Sequence, residues 1–182
     1  MGCDVHDFVE LWDGGRWTWM RDEVFTDWRN GPTCRPLYRS YALFGLLAGV
    51  RDQDVPVIHA PRGLPADLSP ELREKFGFTF PQDCPHGVGA RCSCVYEHSG
   101  LFGHSWATGA ELLAYDFSRT LACSACHDAD CHRHSYHWCE EEAAHRVTVA
   151  DYIGEGWVGT LRQISGLAAD PAHVRLVYAF DN

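Results

Sequence analysis

The chain has no run of roughly 18 apolar residues, so no membrane span is expected. Nothing at its start resembles a leader, because Asp4, His6, Asp7 and Glu10 interrupt any apolar stretch there. Both absences point to a cytoplasmic protein with no membrane partner. The opening Met1-Gly2-Cys3 suggests acylation, but His6 stands where that signal needs Ser or Thr. Basic residues are also few: 15 Lys and Arg stand against 25 Asp and Glu, for a net charge of −10. Non-specific nucleic-acid binding works by neutralising phosphates, so it is not expected here. An anionic ligand would need a local basic pocket, for which Arg39, Arg51 and Arg62 are candidates. Internal repeats and low-complexity linkers are missing as well. The 182 residues, 46% of them hydrophobic, suit one globular domain with its own core.

Cysteine and histidine, in contrast, are abundant and crowded. Seven of nine cysteines and eight of eleven histidines fall between Cys84 and His145. Thiolate and imidazole are the ligands zinc prefers, in tetrahedral sets of four. An odd number of cysteines in a reducing compartment favours thiols and metal over a disulfide framework. Cys123-x-x-Cys126 is the strongest element, with Cys131 and Cys139 able to complete a four-sulfur site. His127, His132, His134 and His137 are alternative ligands, His134 and His137 being the readiest bystanders. Cys84, His86, Cys92 and Cys94 form an upstream group that could bind a second ion or share the first. The spacing matches no standard zinc finger, so the four ligands stay open. A structural zinc stapling two long loops outweighs a catalytic one, because thiolate-rich sites are usually closed and such loops need a stabilising device.

The remaining pattern predicts an α+β domain spanning 1–182, with Cys/His-rich insertions at about 84–98 and 121–145. Cys3, Val5, Asp7, Val9 and Leu11 alternate with Asp4, His6, Phe8 and Glu10. The turn Asp13-Gly14-Gly15 then leads into a second alternation from Arg16 to Met20, predicting a β-hairpin. After a Gly/Pro-containing loop at 29–36, a helix is expected over 38–50, and a short one after Ser69-Pro70-Glu71. Thr108 with Glu111 and Thr148 with Asp151 are capping-box signals for two more helices, the last carrying Gly154, Gly156 and Gly159. Val174 to Phe180 reads as a strand joining the hairpin in a small, mostly antiparallel sheet, packed with about four helices.

Three polar groups stand out. Asp4 and His6, two apart on a strand, project from one face about 7 Å apart, where a carboxylate can orient an imidazole or share a metal with it. Capping of a strand end is the plain alternative. His104-Ser105-Trp106 precedes the Thr108 cap, and a helix N-terminus attracts anions; a zinc ligand or a satisfied loop histidine is the other reading of His104. Arg62 sits on the stiff turn Pro61-Arg62-Gly63-Leu64-Pro65, pre-placed as a cation or simply exposed.

Met1-Gly2-Cys3-Asp4-Val5-His6 resembles the opening of a group of small tailed-phage proteins that begin MGCDIH. The resemblance extends through 39–44, 47–51, 61–65, 104–106 and 174–182, but not through the two Cys/His-rich segments. It implies an accessory phage protein in the cytoplasm of an infected bacterial host. Proteins of that kind often counter host defence, and one common route is to cleave or sequester nucleotide signals. The expected function is therefore a pocket for a nucleotide-like phosphate ligand, in a phosphodiesterase-type hydrolase. Asp4, His6 and His104 are its expected catalytic residues, with His6 as base oriented by Asp4 and His104 as general acid. Arg39, Arg62, Ser105, Trp106 and Thr108 are the expected ligand contacts. A sequestering protein without turnover and a zinc-stapled module that inhibits a host protein are the rivals, and a homo-oligomer is left open.

Overall fold

The computed structural model describes residues 3–27, 29–52, 54–75, 101–121 and 148–181. The expected zinc ligands Cys84, Cys92, Cys94, Cys123, Cys126, Cys131 and Cys139 lie outside them. Among the described residues, no three His, Cys, Asp or Glu side chains converge so as to hold a metal ion.

Alternation at the start of the chain produces β1 (Val5–Trp12), which turns through Asp13-Gly14-Gly15 into β2 (Trp17–Trp19). The Asp13 carboxylate closes that turn by accepting the amides of Gly15 and Arg16. The second short hairpin, β3 (Phe25–Asp27) with β4 (Gly31–Thr33), runs into the segment read as a loop. β5 (Phe102–Thr108) and β6 (Val174–Phe180) complete an antiparallel sheet in the order β2-β1-β6-β5. The C-terminal strand therefore joins the N-terminal hairpin, as the pattern suggests, with Val5 opposite Phe180 and Leu11 opposite Val174.

β6 is buried at every position, so both of its faces are covered. Val174, Leu176, Tyr178 and Phe180 meet the main core, together with Val5 and Val9 of β1. Four helices supply the other side of that core: α1 (Tyr41–Ala48), α3 (Gly109–Ala114), α4 (Val149–Ile153) and α5 (Glu155–Ser165). α5 buries Trp157, Val158, Leu161 and Ile164, the i, i+1, i+4, i+7 stripe of an amphipathic helix. Gly154, at φ 93°, lies outside helical backbone and divides the single helix expected after Thr148 into α4 and α5. The opposite face of β6 carries Val177 and Ala179 against Leu68 and Leu72, the latter on α2 (Pro70–Lys75).

β5 is a strand where no strand is expected. Phe102 pairs with Phe180 and Ser105 with Tyr178, so β5 takes three steps where β6 takes two. The extra residue is a β-bulge, with Gly103 at φ 62° in the left-handed region. That bulge breaks the period of two from which strands are read.

Buried charge fastens the second face. Glu10 and Arg175 sit opposite each other on β1 and β6, and Arg175 Nε donates to Glu10 Oε2 at 2.7 Å, with side chains 0% and 2% exposed. Arg175 also donates to Asp67 Oδ1, while Glu10 Oε1 accepts the Ser69 amide. The guanidinium lies 4.1 Å from the Trp17 ring centroid. This network ties the segment leading into α2 onto the sheet. No described helix is long and apolar enough to cross a membrane.

Candidate functional site

Two separate polar groups emerge from the residues singled out in the sequence. The first lies where β1 begins and β6 ends. Beyond the last ladder pair, the Asp181 amide donates to Asp4 O at 3.1 Å and the Asp4 amide donates to Asp181 Oδ1 at 2.8 Å. Asp181 Oδ2 lies 3.0 Å from His6 Nε2. The hydrogen bond with His6 chiefly holds the Asp181 carboxyl below its ordinary range. It outweighs slight burial and is helped by the Asp4 amide and the charges of His6 and Arg39. Facing an ionised carboxylate, Nε2 is assigned the ring proton, which leaves the lone pair on Nδ1. The acid that orients His6 is thus Asp181, not Asp4.

Asp4 is engaged elsewhere. Arg39 Nε and Nη2 donate to Asp4 Oδ1 and Oδ2, both at 2.7 Å, a bidentate pair that uses two of the five guanidinium donors. Arg39 is carried to β1 by the segment before α1, which is pinned along its length. Arg35 donates to Val5 O and Asp7 Oδ1, and the Leu37 amide donates to Asp7 Oδ2. Asp7 is fully buried, and that burial pushes its carboxyl up to about 6 against the pull of Arg35 and the Leu37 amide. Ser40 then caps α1 by accepting the Leu43 amide, and no acidic side chain occupies the first turn. His6 and Asp181 are each 39% exposed, so the pair is open to a ligand. Two carboxylates against one guanidinium leave the corner one charge negative with His6 neutral, and balanced with His6 protonated.

The second group does assemble Arg62, Ser105, Trp106 and Thr108, but around an anion of the chain itself. Gly63 donates to His104 O at 3.0 Å and the Arg62 amide to Ser105 Oγ at 3.3 Å, so the proline-flanked turn runs along the outer edge of β5. The Arg62 guanidinium lies 3.6 Å from the Trp106 ring centroid and donates through Nε to Trp106 O. Its Nη1 and Nη2 grip Glu111 Oε1 and Oε2 at 2.8 and 2.7 Å. Glu111 Oε2 also accepts the Thr108 amide and hydroxyl, closing the capping box. Burial pushes the Glu111 carboxyl up, but Arg62 and Thr108 overcome it and hold it down at about 2. The anion attracted by Arg62 and the helix start is therefore Glu111.

His104 sits in the β5 bulge opposite Ala179, whose partner on the other side is His6. At ordinary strand spacing the two histidine backbones lie about 10 Å apart. His104 is 3% exposed, and burial pushes its imidazole down to about 4. Near pH 7 the imidazole is therefore neutral and its remaining N–H is only a very weak acid, so a general-acid role does not suit it.

Asp181 is the residue that reading the sequence missed. Its signal was present: a carboxylate directly after a strand expected to join the hairpin. Only the register, Val5 with Phe180, places it beside His6. No family model matches the chain, and neither does any curated protein or solved structure.

Proposed function

We propose that the corner formed by Asp4, His6, Arg39 and Asp181 takes a nucleotide-like phosphate ligand, and that the chain is a phosphodiesterase-type hydrolase of such a ligand. The observation that supports this is the 3.0 Å contact of His6 Nε2 with an ionised Asp181 at an exposed strand end. In this reading Nδ1 takes the proton from a water whose oxygen bonds to phosphorus as a P–O ester bond breaks, and the imidazolium, steadied by Asp181, gives that proton to the departing oxygen. Arg39, positioned by Asp4, offers its remaining donors to phosphoryl oxygens. The setting implied by the MGCDIH resemblance is an accessory phage protein that removes a nucleotide signal.

A second reading, sequestration without turnover, is favoured by the charge balance of the corner. With His6 protonated the corner is neutral, so Nδ1–H and Arg39 together form a seat for an anion, and His104 supplies no second proton. The two readings separate on incubating the protein with cyclic and linear nucleotides and chromatographing before and after heat release. Hydrolysis gives new products, and His6→Ala stops turnover while leaving binding. Sequestration returns unchanged ligand on heating. Neither outcome appearing would sink both readings. We also propose that the Cys/His-rich segments carry a structural zinc; metal analysis of the purified protein finding no zinc would remove that staple.

A further inference from the structure

We propose that the ligand of the His6 corner carries a nucleobase-like aromatic ring as well as its phosphate, and that Tyr41 is the face on which that ring stacks. The inference rests on the phosphate reading above and deepens it. Among the described residues the large apolar side chains left most exposed are Val24, Tyr38, Tyr41, Val57 and Leu113. Two of these five flank Arg39, the guanidinium of the corner. Tyr38 is already used, its ring packed 4.3 Å from Trp157. Tyr41, 39% exposed, is the first residue of α1.

The Tyr41 ring is backed by the core. Its centroid lies 5.9 Å from that of Phe44, which is fully buried and lies 5.0 Å from Phe180. The ring is therefore held on one side by tilted contacts with the buried aromatic core. Tyr41 follows Arg39 across Ser40, whose backbone is extended (φ −152°, ψ 114°), so the two side chains leave the chain on the same side. The Arg39 guanidinium is held charged chiefly by its hydrogen bonds to Asp4, against a little burial, and then by the charges of Asp4 and Asp181. An exposed, fixed ring beside a phosphate-binding guanidinium is the pairing by which single nucleotides are held: stacking for the base, charge for the backbone. Stacking accepts any base, so the ligand class is the nucleotide and not one particular base.

The test titrates wild type, Tyr41→Ala, Tyr41→Phe and Tyr41→Leu with purine and pyrimidine 5′-monophosphates and with ribose 5-phosphate, by calorimetry. Nucleotides should bind wild type more tightly than ribose 5-phosphate. Tyr41→Ala and Tyr41→Leu should lose about 5- to 150-fold for the nucleotides and nothing for ribose 5-phosphate, with Tyr41→Phe close to wild type. Leucine keeps the apolar cover over Phe44, so it guards against a folding defect in the alanine variant. Equal affinity for nucleotides and ribose 5-phosphate would overturn the ring proposal and leave the phosphate reading standing. Undiminished nucleotide binding by Tyr41→Leu would also overturn it. Binding of neither ligand class by wild type would overturn both.

Discussion

Two buried titratable groups on the sheet should drive stability in opposite directions over the same pH range, and separating them tests the electrostatics described above. His104 is held at about 4, against 6.5 for an ordinary histidine. Between those values the unfolded chain binds the proton more readily, so the stability His104 contributes is full above 6.5 and is lost as pH falls through 4. Asp7 behaves inversely. Its carboxyl is held at about 6, against 3.8 ordinarily. Its contribution is full below 3.8 and is lost as pH rises through 6. At about 1.4 kcal/mol per pH unit, each group changes stability by about 2 kcal/mol between pH 4.5 and 6.5, and the two slopes largely cancel. Urea unfolding followed by tryptophan fluorescence, on wild type, His104→Gln and Asp7→Asn, reads them apart. Subtracting the wild-type profile removes what every other group contributes. Relative to wild type, His104→Gln should gain about 2 kcal/mol on going from pH 6.5 to 4.5, and Asp7→Asn should lose about the same. A flat difference curve for His104→Gln would mean that the native imidazole protonates as easily as the unfolded one, and the account of its burial would fail.

Asp181→Asn keeps the acceptor for the Asp4 amide but removes the charge facing His6. It should cost less than about 1 kcal/mol of stability while moving the ring proton away from Nε2, as read from the histidine nitrogen shifts in NMR; an unchanged tautomer would contradict the assigned role. Arg62→Ala should destabilise by about 1–2 kcal/mol through the loss of the Trp106 face and the Glu111 grip. Arg62→Lys should restore less than half of that, because lysine cannot hold both carboxylate oxygens; urea midpoints check both. Glu10→Ala strands the buried Arg175 with Asp67 alone and should cost about 3 kcal/mol. The paired change Glu10→Leu with Arg175→Met should cost less than the single one, measured by the same unfolding.

Much of this architecture was legible because local signals and tertiary structure agree. The period of two from Cys3 to Leu11 became β1, with Val5, Asp7 and Val9 buried along it and Cys3 buried just before it. Both capping boxes formed, and the apolar run from Val174 to Phe180 became the central strand. What stayed hidden depends on register and on partners remote in sequence. A bulge at Gly103 disguised β5. The sequence marks Asp4, His6 and Arg39 as polar candidates, but not that Asp4 and Arg39 would bind each other and leave His6 to Asp181. Arg62 and Thr108 both read as anion-seeking, and they are; a single sequence cannot show that Glu111, three residues into the capping box, satisfies both at once.

His6 and Asp181 stand 175 residues apart in the chain yet touch. A ribosome making this protein must have released β6 before the contact can form. A nascent chain that stops short of Asp181 holds the imidazole without its acid and the Asp4 backbone without its Asp181 partner. The proposed activity therefore depends on β6, and a molecule cut before Val174 would lose the site.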